Sequence, residues 1–125
     1  MHALIIEDQT LIAMLVEDSL RRCGFTSFDF AISKDDAVRS AQARCPDLIT
    51  ADVELDPGSG IDAVDQICVG PPIPVVFVTG SPLEVSERMP QHLMLLKPFE
   101  SDDLIAIVKI ALARADNARQ NWHTN

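Results

Sequence analysis

A chain of 125 residues, 47% hydrophobic and 5% aromatic, has the length of one domain and enough apolar material to bury a core. Its 19 acidic against 10 basic residues leave a formal charge of −9, which repels phosphate backbones and anionic lipid surfaces and argues against nucleic-acid or membrane partners. Three irregularly spaced cysteines, Cys23, Cys45 and Cys68, suit a reducing cytoplasm rather than a disulfide framework or a metal knuckle; no apolar run reaches the ~20 residues of a membrane span, and Met-His-Ala-Leu does not open a signal peptide.

Residues 3–6 are a continuous apolar run, as in a strand buried on both faces of a parallel sheet, and Glu7-Asp8 ends it. Over residues 10–22, Leu11, Ile12, Leu15, Val16 and Leu20 recur at helical spacing, and Gly24 supplies a stop. Residues 27–32 alternate loosely as a second strand. Ser33, with Asp36 three residues on, opens a helix that runs through Arg44 and is closed by Pro46. Residues 48–51 form a third strand, after which Asp52 stands at the entrance to a loop with the turn chemistry of Asp56-Pro57-Gly58. Ile61, Val64 and Ile67 mark a short helix ending near Gly70-Pro71-Pro72. Residues 75–78 are the most apolar β-branched stretch and read as a core strand, with Pro74 able to sit only at its first residue. Ser81-Pro82-Leu83-Glu84 reads as a capping box with a helix-start proline, cut short by Pro90. Residues 93–96 are the last strand and 101–114 the last amphipathic helix. The domain is expected to span residues 1–115, and the polar tail 116–125 is expected to fray.

Five strands, each followed by a helix, predict an α/β doubly wound parallel sheet with right-handed crossovers, and for this length the order 2-1-3-4-5. Ligands in such sheets bind outside the carboxyl ends of the strands, at the switch point between strands 1 and 3. That places Glu7 and Asp8 beside Asp52, with Thr79 ending strand 4 and Lys97 ending strand 5. Three neighbouring carboxylates raise one another's pKa values unless a cation neutralises them, and an all-oxygen site suits Mg²⁺, with Mn²⁺ able to take its place. Asp52 would be a nucleophile toward phosphorus, giving an aspartyl phosphate, while Mg²⁺, Lys97 and the Thr79 hydroxyl each hold a phosphoryl oxygen.

Taken singly these residues have plainer readings. Asp8 could cap the first helix, Asp52 could be a turn residue, Thr79-Gly80 a turn and Lys97 a solvated charge. The joint placement favours the chemical reading. Glu54, Asp56 and Asp62 read as exposed acids, with Glu54 a candidate for controlling water access. His2, His92 and His123 lack metal-ligand spacing, Met89 and Met94 read as packing, and the three cysteines read as small buried hydrophobes. A nucleotide- or flavin-binding enzyme of the same topology would want a Gly- or Ser/Thr-rich loop after strand 1, where this chain has Glu7-Asp8-Gln9.

An acidic pair after strand 1, an Asp after strand 3, a Thr after strand 4 and Lys-Pro after strand 5 resemble the receiver domain of two-component response regulators, over about residues 1–115. The resemblance implies the flavodoxin-like receiver fold, Asp52 as phosphoacceptor, Thr79 and Lys97 against the phosphoryl group, and Mg²⁺ on Glu7, Asp8, Asp52 and the Glu54 backbone carbonyl. It also implies a cis bond between Lys97 and Pro98. The phosphodonor would be a sensor histidine kinase or histidine phosphotransfer protein, and the output an unknown downstream protein reached without a DNA-binding domain, so the chain would be a signalling domain rather than an enzyme. The wording His2-Ala3-Leu4-Ile5-Ile6-Glu7-Asp8, Gly60-Ile61-Asp62-Ala63-Val64 and Phe77-Val78-Thr79-Gly80 is similar to alphaproteobacterial general-stress-response receivers, including the Phe-Ala-Thr-Gly subgroup, with Val78 in place of Ala. Met94 stands where most receivers carry the aromatic ring that reports phosphorylation, so the expected signal is a shift of the segment after strand 4. A receiver used only for binding is the alternative.

Overall fold

The computed structural model describes residues 1–55, 57–67 and 73–124, the last three by backbone alone. The expectations at Asp56, Cys68 and Gly70-Pro71-Pro72 lie outside these residues. The elements follow in strict alternation as β1 (His2–Ile6), α1 (Thr10–Arg21), β2 (Ser27–Ala31), α2 (Lys34–Ala43), β3 (Leu48–Ala51), α3 (Gly60–Ile67), β4 (Val75–Thr79), α4 (Pro82–Arg88), β5 (Leu93–Leu96) and α5 (Ser101–Thr124). All strand pairs are parallel, in the order β2-β1-β3-β4-β5 that the alternation predicts.

The strand pleat divides the core in two. Leu4, Ile6, Ile49, Ala51 and Phe77 face one way and pack with Ala37 of α2, Ile61 and Val64 of α3 and Val85 of α4. Ala3, Ile5, Leu48, Val76 and Val78 face the other way, against Val16 and Leu20 of α1 and Leu104 and Val108 of α5. Burial on both faces explains why β1, β3 and β4 are apolar without alternation. It also fixes register, since a one-residue slip would exchange the two cores. Ile6 pairs with Ala51 and Ala51 with Phe77, so β1 and β3 end level, and the residues that follow them emerge on the same edge of the sheet.

Several local expectations are corrected. The last helix, expected over 101–114, is longer: α5 continues ten residues past Arg114 to Thr124. The stretch holds no Gly or Pro, and Ala115 is buried with Ala118 half-buried, so packing carries the helix past the amphipathic pattern. The Ser33 cap is present, accepting from Asp36 N at 3.2 Å. Ser81 makes no cap to α4; its hydroxyl donates instead to the Glu54 carboxylate across the loops. Cys45 is exposed and Cys23 half-buried, because both follow helix ends at the domain surface. Met89 and Met94 do pack on the core. The Lys97–Pro98 peptide is cis, as expected.

Candidate functional site

Three residues that follow strands keep one ladder hydrogen bond each, and this aims their side chains. Glu7 N donates to Ala31 O, Asp52 N to Ile6 O and Lys97 N to Thr79 O, all at 2.9 Å. The backbone is thus still sheet-like where the side chains turn over the edge. Lys97 Nζ reaches across two strands to donate to Glu7 Oε1 at 2.8 Å and to Asp52 Oδ2 at 3.1 Å. The Glu7 and Asp52 side chains are only 3% and 8% exposed, so these are ion pairs in a low-dielectric setting rather than surface pairs of little worth. Asp8 is exposed and completes the group: one oxygen from each of Glu7, Asp8 and Asp52 lies within 4.8 Å of the others.

Burial is the main cause that lifts the Glu7 carboxyl to about 7; the Lys97 hydrogen bond opposes the lift and the Asp52 charge adds to it. Burial works against the charge of Lys97, but its bonds to Glu7 and Asp52 outweigh that and hold its pKa above the ordinary value. Lys97 supplies one positive charge against three carboxylates. The remaining charge and the all-oxygen donor set fit a hard divalent cation. A cleft of about 380 Å³ opens onto the group, lined by Asp8, Gln9, Asp52, Glu54, Gly80 and Lys97 among others.

Asp52 also does the turn residue's work: its Oδ1 accepts from Glu54 N at 3.2 Å, while Oδ2 meets Lys97. Asp8 is not a helix cap, since Gln9 holds that position and makes no side-chain cap bond. Thr79 comes to the right strand end but is fully buried, and its hydroxyl accepts from Ser81 N at 2.8 Å instead of facing the cleft. Glu54 is exposed at the rim. Lys97 is 17% exposed and not a solvated charge.

Sequence reasoning passed over three residues. Gln9 lines the cleft and donates its backbone N–H to Glu7 Oε2 at 3.2 Å. Ser81 bridges to Glu54. Gly60 lies so close to the Asp52 peptide that a Cβ there would sit 1.9 Å from its carbonyl oxygen. Only Gly60 left a readable signal, a glycine directly after the Ser59 cap at the first position of a helix, where an ordinary helix former would be expected.

A doubly wound parallel sheet that gathers an acidic trio and a lysine at its carboxyl edge has the architecture of a phosphoryl-accepting signalling domain. The chain belongs to the response regulator receiver domain family, whose model matches residues 3–109. Phosphorylation and Mg²⁺ binding at an acidic pocket are general in this family. The chain is 35% identical over 121 residues to the phyllosphere-induced regulator PhyR of Methylorubrum extorquens, covering 94% of this chain and 45% of that protein. It is 34% identical over 117 residues to the transcriptional regulatory protein PdtaR of Mycobacterium tuberculosis, covering 90% of this chain and 57% of that one. The crystal structure of PhyR from Brucella abortus superposes with a TM-score of 0.88 at 32% identity, over 98% of this chain and 52% of that chain. The solution structure of the receiver domain of Erythrobacter litoralis PhyR gives 0.81 at 32% identity, over 89% and 88%. The similarity to stress-response receivers expected from the motifs is therefore present, and the chain spans about half the length of the curated relatives it matches. Among the described residues no helix is long and apolar enough to cross a membrane.

Proposed function

We propose that this receiver accepts a phosphoryl group on Asp52 from a sensor histidine kinase or a histidine phosphotransfer protein. The observation that carries the reading is Lys97 Nζ placed between Glu7 Oε1 and Asp52 Oδ2 at the mouth of a cleft. In the transfer an Asp52 carboxylate oxygen attacks phosphorus, the bond from phosphorus to the donor nitrogen breaks, and the donor imidazole leaves. Lys97 holds Asp52 in position and offers its ammonium to the phosphoryl oxygens, so charge in a loose transition state meets a fixed cation. Thr79 contributes its hydroxyl proton once it turns from Ser81. Glu7, Asp8, Asp52 and the Glu54 backbone carbonyl would hold Mg²⁺, which when bound neutralises carboxylate and phosphoryl charge.

The donor protein has a surface to meet. Ile12, Leu15, Lys97, Pro98 and Phe99 line an apolar groove, and Lys97 belongs to both this groove and the acid cleft. Leu11 and Met14 extend the apolar face of α1, at 81% and 59% exposed. Output runs through the segment after β4 to a downstream protein, without DNA binding by this domain. One PhyR relative, from Bartonella quintana, is described as an anti-anti-sigma factor, which favours a protein as the downstream partner.

The test is incubation with a small-molecule phosphodonor and Mg²⁺ followed by intact mass. One acid-labile phosphoryl group is expected on the wild type and none on Asp52→Asn. Equal incorporation by the variant would refute Asp52, and no incorporation by a folded wild type would favour a receiver used only for binding.

A further inference from the structure

Met94, half-buried against the core, brings no ring to the position where the resembled receivers carry one that reports phosphorylation, so α4 needs another contact to sense Asp52. The polar side chains around α4 form an unusual arrangement. At its start, Ser81 donates its hydroxyl to the Glu54 carboxylate, and its backbone N–H to Thr79 Oγ1 at 2.8 Å. Glu54 N in turn donates to Asp52 Oδ1 at 3.2 Å. Asp52, Glu54, Ser81 and Thr79 are thereby joined in one chain of hydrogen bonds across the rim of the acid cleft. At the other end of α4, Arg88 donates to Asp62 of α3 at 2.6 Å and lies 3.7 Å from Glu84 of its own helix.

Both polar ties run from α4 to the segment that follows Asp52, through Glu54 and Asp62. Val85 is the buried residue of α4, so one apolar anchor at the middle of a seven-residue helix is flanked by a tie at each end. A helix this short has no independent stability and takes its position from such contacts. Gly80, between Thr79 and Ser81, has open space around it: a Cβ there would meet nothing within 4 Å.

We infer that the Ser81–Glu54 and Arg88–Asp62 bridges are a two-point clasp that holds α4 in its resting position, and that it does the work of the missing aromatic switch. The inference rests on the proposed phosphorylation of Asp52. When the Thr79 hydroxyl turns to a phosphoryl oxygen, Ser81 N follows or loses its acceptor. A Ser81 that follows draws its hydroxyl off Glu54, and one that loses its acceptor is held by one bond fewer; both loosen the start of α4 and let it pivot about Val85. Leu83, 69% exposed on the outer face of α4, moves with it and changes what a partner meets. The clasp biases a two-state element through differential contacts in one state.

Hydrogen exchange on the full chain tests this, with beryllofluoride and Mg²⁺ as the phosphoryl mimic. In the wild type the mimic should speed exchange of the 82–88 amides. Ser81→Ala, which keeps the backbone N–H but removes the bond to Glu54, should show that faster exchange without the mimic, by about threefold or more, with little further response and an unchanged urea midpoint. Asp62→Asn should act in the same direction from the other end. Wild-type exchange in both variants with a full response to the mimic would overturn the clasp. A wild type that takes no phosphoryl group by intact mass would instead overturn the proposed function. The two failures are separate because the resting-state effect of Ser81→Ala is read with no phosphodonor present.

Discussion

Gly60→Ala is the sharpest perturbation this structure offers, because it strikes where α3 begins against the peptide of Asp52. An ideal Cβ on Gly60 would lie 1.9 Å from Asp52 O and 2.8 Å from Asp52 C, whereas real Cβ contacts essentially never fall below 3.0 Å. The two backbones would have to part by more than about 1 Å, and neither is loose. Asp52 N is bonded to Ile6 O at 2.9 Å, Gly60 N to Val53 O at 3.1 Å, and Ile61, Ala63 and Val64 anchor α3 in the core. Overpacking typically costs 1–3 kcal/mol, and here main chain must yield rather than a side chain, so a loss of about 3 kcal/mol is expected. For a domain of this size that lowers Tm by roughly 10 °C. Moving the Asp52 peptide also shifts its carboxylate relative to Lys97, so phosphoryl incorporation should slow by about tenfold or more. Urea unfolding read by circular dichroism, with rates by intact mass, measures both. Gly80→Ala, where a Cβ meets nothing within 4 Å, is the matched control and should change stability by less than about 0.5 kcal/mol. A Gly60→Ala protein as stable as that control would refute the steric reasoning.

Thr50 Oγ1 is buried without a hydrogen-bond partner, so Thr50→Val should stabilise the protein by about 1 kcal/mol in urea unfolding, and a clear loss would mean the hydroxyl is satisfied. Lys97→Met leaves the Glu7 and Asp52 carboxylates facing each other without their cation; with chelator present it should cost about 3 kcal/mol at pH 8, and added Mg²⁺ should raise Tm more than in the wild type. In chelated wild type, Glu7 has a folded pKa near 7 against 4.5 unfolded, so the fold binds its proton more tightly. That contribution is full below pH 4.5 and is lost as pH rises through 7, of order 3 kcal/mol in all; Glu7→Gln should flatten this part of the stability profile, and an unaltered slope would count against the assignment. Gel shifts at low salt should detect no DNA binding by these 125 residues, in keeping with the −9 charge, and retention of a DNA probe would contradict it.

Much of this molecule is written locally. Apolar runs without alternation at residues 3–6, 48–51 and 75–78 demand burial on both faces, and helical periodicity between them demands crossovers, so a parallel sheet in the order found is nearly the only way to cover both. Because a charged residue cannot enter such a core, Glu7, Asp52 and Lys97 had to stand at the strand ends, and topology brought those ends together. What the sequence could not reveal are bonds between side chains far apart in the chain, where the choice of partner depends on distances of a few tenths of an ångström. Lys97 meets residues 90 and 45 positions away, and it sits between two carboxylates rather than in solvent only because the folded edge makes that the lower-energy place for a half-buried ammonium. Ser81 carries every local mark of a helix cap, yet its oxygen accepts from no backbone N–H of α4; its hydroxyl donates to the Glu54 carboxylate, a charge-assisted bond that sets the side chain's direction. The Thr79 hydroxyl is turned to Ser81, a matter of one rotamer. The length of α5 belongs to the same class, since a polar run with no breaker is helix or coil according to whether a residue such as Ala115 finds something to pack against, and that is a property of the tertiary structure alone.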